Sequence, residues 1–260
     1  MKNISLCKKW AKNQGTINAW LSMPCAFSAE LIGKAGFDSV TIDIQHGLIS
    51  YENALNMFQA MSSSKSELMA RVPWLNPSDI MKVLDAGAKG IICPMVNTKE
   101  DAQKLVSYSY YPPLGTRSFG PTRAKYFLND YAKDANSSLL IIAMIETAEA
   151  LKNLDEILSV EGIDGIYIGP ADLSLNLGKE PAFDKEDEFI LKTIKHILKE
   201  AKKHNKFAGI HNATLEYGEK MLKLGFDFIS VSSDANFIIQ GANAVVSKFN
   251  NKESTKSKTY

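Results

Sequence analysis

Two carboxylates each follow an apolar segment typical of a buried strand. Glu146 ends the segment 140–146, and Asp172 comes two residues after the segment 165–170. If the two segments are neighbouring parallel strands, both carboxylates lie at the same edge of the sheet and can share one divalent cation. Ligation by oxygen alone, with positions left for water, favours Mg²⁺ or Mn²⁺ over zinc, with Co²⁺ as a further option. The spacing is equally compatible with Glu146 capping the next helix and Asp172 closing an Asx turn.

A proton carrier and a cation follow two further apolar segments. His46 comes directly after the segment 39–45, and a histidine with an unperturbed pKa near ~6.5 is suited to proton transfer at neutral pH. Only three of the 30 Lys+Arg residues are arginines, and Arg71 is the one at a strand end. This scarcity favours a role that needs a planar, two-pronged donor. His211, which ends the segment 206–211, competes with His46 as the catalytic histidine.

Two other kinds of chemistry lack the residues that they need. Schiff-base catalysis requires a buried strand-end lysine, and the segment 165–170 (GIYIGP) contains none. Phosphate binding in a barrel uses glycine-rich loops after the seventh and eighth strands, where this chain has HNAT and SSDA. A metal-dependent reaction on a small, unphosphorylated substrate is therefore favoured.

The elements that must position these residues alternate along the chain. Each predicted strand is apolar throughout, as expected for parallel strands covered on both faces. Regular alternation over 260 residues predicts an α/β fold, a single (β/α)8 TIM barrel, with its site at the carboxyl ends of the strands. A doubly wound sheet is the rival, but no Gly-x-Gly-x-x-Gly follows any strand. The predicted strands are 17–22, 39–45, 68–73, 90–95, 140–146, 165–170, 206–211 and 228–234, and the helices 28–35, 51–61, 77–84, 98–107, 147–158, 186–204, 215–224 and 235–249.

Composition sets the broad class of protein. The 30 basic and 29 acidic residues give a net charge of +1, which argues against nucleic-acid and membrane partners. No apolar run approaches the ~20 residues of a membrane span, and no secretory signal begins the chain, so we expect a cytoplasmic protein. We expect one barrel domain over residues 1–249 and a disordered polar tail over 250–260. The 110–131 stretch is interpreted as a long strand-to-helix connection with a functional role.

Several motifs, in order and with matching spacing, resemble the HpcH/HpaI aldolases, metal-dependent class II pyruvate aldolases of the phosphoenolpyruvate/pyruvate barrel superfamily. The likeness runs from about residue 20 to residue 246. The motifs are GFD (36–38), IDIQHG (42–47), ARVP (70–73), LDAG (84–87), CPMV (93–96), YPPLGTR (111–117), IET (145–147) and GPADLS (169–174). No one of these motifs is specific alone, but their combination is.

The resemblance implies a role for each matching residue. His46 matches the proton acceptor, Asp85 the carboxylate that makes this histidine more basic, and Arg71 the cation that faces the enolate oxygen. Nothing in the spacing alone singles out Asp85, which reads equally well as an aspartate at a helix C-terminus. The resemblance also implies a homohexamer in which a terminal helix packs against a neighbouring barrel.

Further roles implied by the resemblance concern the metal and the substrate. Glu146 and Asp172 match the metal ligands, and the backbone N–H groups of Ala171 and Asp172 match donors to the pyruvate carboxylate. Two positions depart from the family pattern. Gln45 stands where a glutamate precedes the histidine, and Met144 stands where a glutamine contacts the substrate. These departures leave the reaction type better supported than the identity of the substrate.

The implied reaction is reversible cleavage of a 4-hydroxy-2-oxo acid to pyruvate and an aldehyde through a pyruvate enolate. The substrate would be of the 4-hydroxy-2-oxoheptanedioate or 2-dehydro-3-deoxy sugar acid type. Alternatives are a related carbon–carbon lyase or citrate-forming enzyme with the same enolate, and a non-catalytic barrel kept as a binding subunit.

Overall fold

Eight parallel strands close into a barrel in sequence order, which confirms the predicted fold. The computed structural model describes residues 2–184 and 186–256, with side chains as far as residue 250. The strands are β1 (Thr16–Leu21), β2 (Ser39–Asp43), β3 (Glu67–Arg71), β4 (Gly90–Cys93), β5 (Leu140–Ile145), β6 (Gly165–Ile168), β7 (Phe207–Asn212) and β8 (Phe228–Val231). All of their carboxyl ends lie on one face of the barrel, called here the mouth.

Helices surround the strands. They are α1 (Ser5–Trp10), α2 (Ala26–Lys34), α3 (Tyr51–Ala60), α4 (Pro77–Asp85), α5 (Lys99–Ser109), α6 (Tyr131–Asp134), α7 (Ala148–Lys152), α8 (Leu154–Leu158), α9 (Pro170–Asn176), α10 (Glu188–Lys203), α11 (Leu215–Leu224) and α12 (Asp234–Lys256). The predicted helix 147–158 is divided into α7 and α8. Within the described ranges, no helix is both long and apolar enough to cross a bilayer.

The core has two layers because alternate residues of each strand point to opposite faces. One layer packs between the strands and the outer helices. The other fills the barrel interior and includes Trp20, Met144 and Tyr167 near the mouth. At the opposite face, the unpredicted helix α1 closes the barrel, with Trp10 against Phe228 at 5.0 Å between ring centroids. Inward-facing residues at the carboxyl ends of the strands are therefore the ones available to a site.

Two expectations outside the barrel need comment. The 110–131 stretch does not follow a strand. It follows α5, which has already returned the chain to the face opposite the mouth, and it leads towards β5, so its prediction as a strand-to-helix connection was wrong. The predicted tail 250–260 overlaps α12, which continues to Lys256, and residues 257–260 lie outside the described residues.

Candidate active site

A cavity of about 380 Å³ opens at the mouth of the barrel. It brings together most of the residues that the sequence singled out, because they come from the carboxyl ends of successive strands. The side chains and backbone that line it include Trp20, Asp43, His46, Arg71, Met144, Tyr167, Gly169, Ala171, Asp172, Phe183, His211 and Ser232. Glu146 is buried behind Gly169, and Asp85 is not part of this lining.

Arg71 is held in one position by two neighbours. Asp43 and Arg71 are register partners on β2 and β3. Arg71 donates from Nε to Asp43 Oδ1 at 2.8 Å and from Nη2 to Asp43 Oδ2 at 2.7 Å, while the guanidinium carbon lies 4.9 Å from the centre of the Trp20 ring. The pair and the ring together fix a planar cation at the cavity wall.

Asp43 is ionised despite its burial. Burial by itself raises the pKa of this carboxyl, but the hydrogen bonds and positive charge of Arg71 outweigh it, and the net pKa is lowered. Asp43 Oδ1 also accepts the backbone N–H of Gln45 at 3.1 Å and of His46 at 3.3 Å. The carboxylate thus ties the arginine to the loop that carries the histidine.

His46 lies on a tight turn at the rim of the cavity. A Cβ at Gly47 would meet the carbonyl oxygen of Asp43 at 2.1 Å, so only glycine allows the chain to turn this closely after β2. The imidazole of His46 is exposed, and no other described residue hydrogen-bonds to it. It is free to meet a substrate proton.

Glu146 is a buried carboxyl in an unusual environment. Met95, in a left-handed backbone conformation with φ 55°, donates its N–H to Glu146 Oε1 at 2.9 Å. The pKa of Glu146 is raised to about 7, mainly by burial and further by the negative charge of Asp172, while the Met95 N–H and the charge of Arg71 act in the opposite direction. Oε2 lies so close to Gly169 that a Cβ there would meet it at 2.6 Å. Glycine keeps the space around this oxygen open.

The residues at this edge of the mouth fit a divalent cation. A cation would relieve the repulsion between Glu146 and Asp172, and the two carboxylates leave further coordination positions open, as Mg²⁺ and Mn²⁺ require. Among the described residues, the one cluster of three metal-ligating groups is elsewhere, on the outer surface at Asp155, Glu200 and His204. There, Lys203 already contacts both carboxylates, so that cluster is a surface ion-pair network.

Met144 and Ala171 border the same edge. Met144 faces the barrel interior from β5 and is buried, and its Cε is 3.1 Å from the position of a Cβ on Gly169. Ala171 and Asp172 lie in the first turn of α9, where backbone N–H groups have no acceptor within the helix. The position where the family has a glutamine is thus a thioether against the cavity.

Aromatic side chains form the part of the wall that β6, β7 and β1 carry. The Tyr167 hydroxyl is 3.0 Å from Nδ1 of His211, and the His211 ring lies 4.9 Å from the Trp20 ring and 5.0 Å from Phe183. Burial is the main cause that lowers the pKa of His211 to about 4, and the charge of Arg71 adds to it. His211 is therefore neutral at neutral pH, unlike a histidine that gains and loses a proton near pH 7.

Asp85 is separated from the cavity within this chain. It ends α4, which runs back to the face opposite the mouth, whereas His46 is at the mouth. Its partner is the buried Arg117, whose Nη2 donates to Asp85 Oδ1. Burial raises the pKa of Asp85, and Arg117 acts in the opposite direction. One chain alone does not bring Asp85 to His46.

The sequence interpretation missed several contributors to the cavity, among them three aromatic side chains. Trp20 and Tyr167 face the barrel interior because alternate residues of a strand point to the same face, as Arg71 does on β3. Counting every second residue along each strand could therefore have identified them. Phe183 comes from the irregular segment before α10, for which no periodic signal exists.

Comparison with known proteins identifies relatives over nearly the whole chain. The family model for HpcH/HpaI aldolase/citrate lyase matches residues 17–241. A hydroxypyruvate/pyruvate aldolase of Rhizorhabdus wittichii is 39% identical over 95% of this chain and 98% of its own. A 4-hydroxy-2-oxo-heptane-1,7-dioate aldolase of Klebsiella pneumoniae is 34% identical over 92% of this chain and 91% of its own. Among solved structures, citrate synthase SbnG has a TM-score of 0.86 at 30% identity, over 97% of this chain and 100% of its own.

These relatives settle the reaction class. Proteins named as aldolases and 34–39% identical over most of the chain support a carbon–carbon lyase, as the motifs predict. The family prediction is confirmed as well, and the chain belongs to the HpcH/HpaI aldolase/citrate lyase family.

Proposed function

We propose that this chain is a divalent-metal-dependent, class II aldolase that reversibly cleaves a 4-hydroxy-2-oxo acid to pyruvate and an aldehyde. The observation that carries the proposal is the buried carboxyl of Glu146, whose pKa of about 7 reflects burial and the nearby charge of Asp172, at the edge of a cavity that also holds Arg71. Glu146 and Asp172 would hold a Mg²⁺, Mn²⁺ or Co²⁺ ion, which would supply Lewis-acid chemistry to a bound 2-oxo acid.

Arg71 stabilises negative charge on the substrate. As the C3–C4 bond breaks, its electron pair passes into the C2–C3 enolate, and negative charge accumulates on the C2 oxygen. A guanidinium already fixed by Asp43 and Trp20 meets this charge without reorganising. The N–H groups of Ala171 and Asp172 are available to the carboxylate of the pyruvate portion.

His46 moves the proton. In the cleavage direction it accepts the proton of the C4 hydroxyl, so that the C4 carbon leaves as an aldehyde. The enolate then takes a proton at C3 to give pyruvate, and the same steps in reverse form the new bond. The exposed position of His46 at the rim suits it to this exchange with substrate and solvent.

Asp85 completes this site from a second copy of the chain. In its own chain it lies on the opposite face from His46, so a pairing of the two needs an oligomer, and we propose a homohexamer. Helix α12 supports an assembly, because Ile238, Val245 and Phe249 are each more than half exposed and nothing in the described part of this chain covers them. Such an apolar helix face is typical of a subunit interface.

A citrate-forming reaction is the second candidate. It is favoured by the likeness to citrate synthase SbnG at 30% identity. Both candidates need an enolate and its stabilising residues. They differ in the enolate itself, which comes from an acetyl thioester in citrate formation and from pyruvate in the aldolase, and in the carbonyl compound that it attacks. A non-catalytic barrel is the least favoured alternative, since the intact pair of Asp43 and Arg71 is poised around a cavity of substrate size.

The test follows the C3 protons of pyruvate in D₂O by NMR, with Mn²⁺ or Mg²⁺ and with a chelator. We expect exchange with the metal and none with the chelator, and none in Glu146→Ala. Pyruvate and a panel of aldehydes, read by mass spectrometry, then give the acceptor, and incubation with oxaloacetate and acetyl-CoA tests for citrate. Trapping of a pyruvate adduct by borohydride would indicate a Schiff base and contradict the proposal.

A further inference from the structure

Hydrogen-bonded polar side chains lie in the barrel interior, and Tyr167 and His211 lie nearer the mouth. Asn18 Oδ1 accepts from the hydroxyls of Ser39 at 2.8 Å and Thr41 at 3.0 Å. Asn18 Nδ2 donates to Ser230 Oγ at 2.8 Å. The interior polar groups are thus bonded to one another, and His211 makes its hydrogen bond to Tyr167.

The bond between Tyr167 and His211 determines which nitrogen of His211 carries a proton. The Tyr167 hydroxyl is 3.0 Å from Nδ1 of His211. A phenol is a stronger acid than a neutral imidazole N–H, and an imidazole nitrogen is a stronger acceptor than a phenol oxygen. Tyr167 therefore donates to Nδ1 of His211. An imidazole that accepts at Nδ1 and is neutral carries its proton on Nε2.

The Nε2–H is free for a ligand. Among the described residues, the bond to Tyr167 is the only hydrogen bond of the His211 ring. The ring lines the cavity between Trp20 and Phe183, so it is a polar donor flanked by aromatic rings. A donor in such surroundings discriminates between ligands that have an acceptor there and ligands that do not.

The next strand supplies a second polar group on this wall. Ser232 follows β8, the neighbour of β7, and also lines the cavity. Its hydroxyl is buried and has no hydrogen-bond partner among the described residues, and its backbone is held at φ 63°, a conformation that a serine adopts at a cost. A buried hydroxyl with no partner among the described residues is available to a ligand oxygen in the same cavity.

We propose that His211 is a specificity-determining residue that donates from Nε2–H to an oxygen substituent on the aldehyde partner. The proposal rests on the proposed function and adds a substrate class to it: short aldehydes that carry a hydroxyl or carbonyl oxygen next to the reacting carbon. Ser232 lies within the same wall and serves the same oxygen substituents. Because His211 is neutral, it offers a hydrogen bond without a full positive charge, and an anionic aldehyde gains no ion pair from it.

The test compares two aldehydes of the same size. Glycolaldehyde has a hydroxyl group where propanal has a methyl group. The measurement is the ratio of their kcat/KM values with pyruvate, each corrected for hydration of the aldehyde. We expect the wild-type ratio to favour glycolaldehyde and to fall about threefold to tenfold in His211→Leu. His211→Gln retains a donor and should keep part of the ratio. His196→Leu, on the exposed surface of α10, is the control and should leave the ratio unchanged.

A second measurement tests the inference without relying on the His211→Leu variant alone. The chain has four histidines, so [¹⁵N]histidine labelling resolves the tautomer of His211 by NMR. We expect neutral Nε2–H in the wild type, and a mixture of tautomers with a lower aldehyde ratio in Tyr167→Phe. An Nδ1–H tautomer in the wild type, or an unchanged ratio in folded His211→Leu, would overturn the inference. Absence of pyruvate proton exchange in the wild type would instead contradict the proposed function.

Discussion

Asp43 and Arg71 face each other across neighbouring strands and share two hydrogen bonds of 2.8 and 2.7 Å. The pair is built by register, because the two residues are opposite partners at the ends of β2 and β3. It uses Nε and Nη2 of the arginine, and Nη1 has no hydrogen bond to any other described residue. The cation is thus held by Asp43 while one nitrogen remains for the substrate.

The first prediction concerns this geometry. Arg71→Lys keeps the charge but replaces a planar fork by a flexible ammonium that cannot bond Asp43 at two points and face an enolate. We expect turnover to fall by about 10²–10³, the usual effect of losing one oxyanion donor. Steady-state cleavage kinetics measure it, with circular dichroism to verify folding. Near-normal turnover would show that charge alone is sufficient here.

The pattern of apolar strands in the sequence was sufficient to predict part of this site. His46, Arg71 and Asp172 could be found because charged residues at the ends of apolar strands must lie at the mouth of a barrel. The pairing of Arg71 with Asp43 requires the register between strands, which a single sequence does not state. Tyr167 was read as one more apolar strand residue, although its hydroxyl connects the interior to His211.

Other features were beyond what local patterns indicate. Helix α1 has only six residues, too few for a periodic signal, yet it closes the barrel with Trp10. The family motif identified Asp85, and only the direction of α4 shows that it cannot reach His46 of the same chain. The position of the 110–131 stretch depends on where α5 ends, which composition does not determine.

The second prediction concerns His46. Removing a general base usually costs about 10²–10⁴ in turnover, and His46→Ala should lie in that range. The matched control is His196→Ala on the exposed surface of α10, which should retain wild-type turnover. Cleavage rates of both variants at saturating metal make the comparison. If His46→Ala retained full turnover, the proton acceptor would have to be another group.

The third prediction is a pH dependence of metal affinity. The pKa of Glu146 is about 7 in the folded, metal-free protein, and a cation binds only the ionised carboxylate. The apparent affinity for Mn²⁺ should therefore be constant above pH 7 and fall about tenfold per pH unit below it. Titration calorimetry between pH 5.5 and 8.5 checks this, and Glu146→Gln should bind weakly with no such dependence. An affinity for Mn²⁺ that did not change below pH 7 would contradict the assignment of Glu146 as a metal ligand.

The same raised pKa affects stability in the absence of metal. The ordinary value for this carboxyl is 4.5, so between pH 4.5 and about 7 the folded protein binds more protons than the unfolded chain. The contribution of Glu146 to the free energy of unfolding is therefore greatest below pH 4.5 and is lost as the pH rises through 7. Added Mn²⁺ should offset this loss above pH 7, and thermal melts with and without the metal measure the difference.

The fourth prediction tests whether Asp85 acts between subunits. His46→Ala and Asp85→Asn should each be impaired alone. When they are co-expressed, a chain with intact His46 can meet a neighbour with intact Asp85, and random pairing restores about one quarter of the sites. Activity of the purified mixed oligomer against each variant alone is the measurement. A mixture no more active than its components would indicate that the two residues do not share a site across an interface.

The last prediction concerns Met144. A thioether accepts hydrogen bonds only weakly and donates none, so a substrate oxygen at this edge loses the contact that a glutamine would give. The lost contact is worth about 0.5–1.5 kcal/mol, a threefold to tenfold change in affinity. Glu146 and Asp172 are unaffected by the difference, so pyruvate should still bind and exchange its C3 protons. We therefore expect an active aldolase that favours short or uncharged aldehydes over a long dicarboxylic partner.

Met144→Gln tests this expectation directly, because the two side chains have similar length and Gly169 leaves room beside the position. The variant should gain threefold to tenfold in kcat/KM for longer, more polar acceptors and change little for short ones. Met81→Gln, on α4 outside the barrel, provides the matched control for introducing a glutamine. If Met144→Gln has wild-type kinetics with every acceptor, the methionine only packs in the strand, and a water molecule or another side chain makes the contact. If the gain is confined to the longer acceptors, the residue at this position sets the range of aldehydes, and His211, two strands away on β7, selects among the short ones.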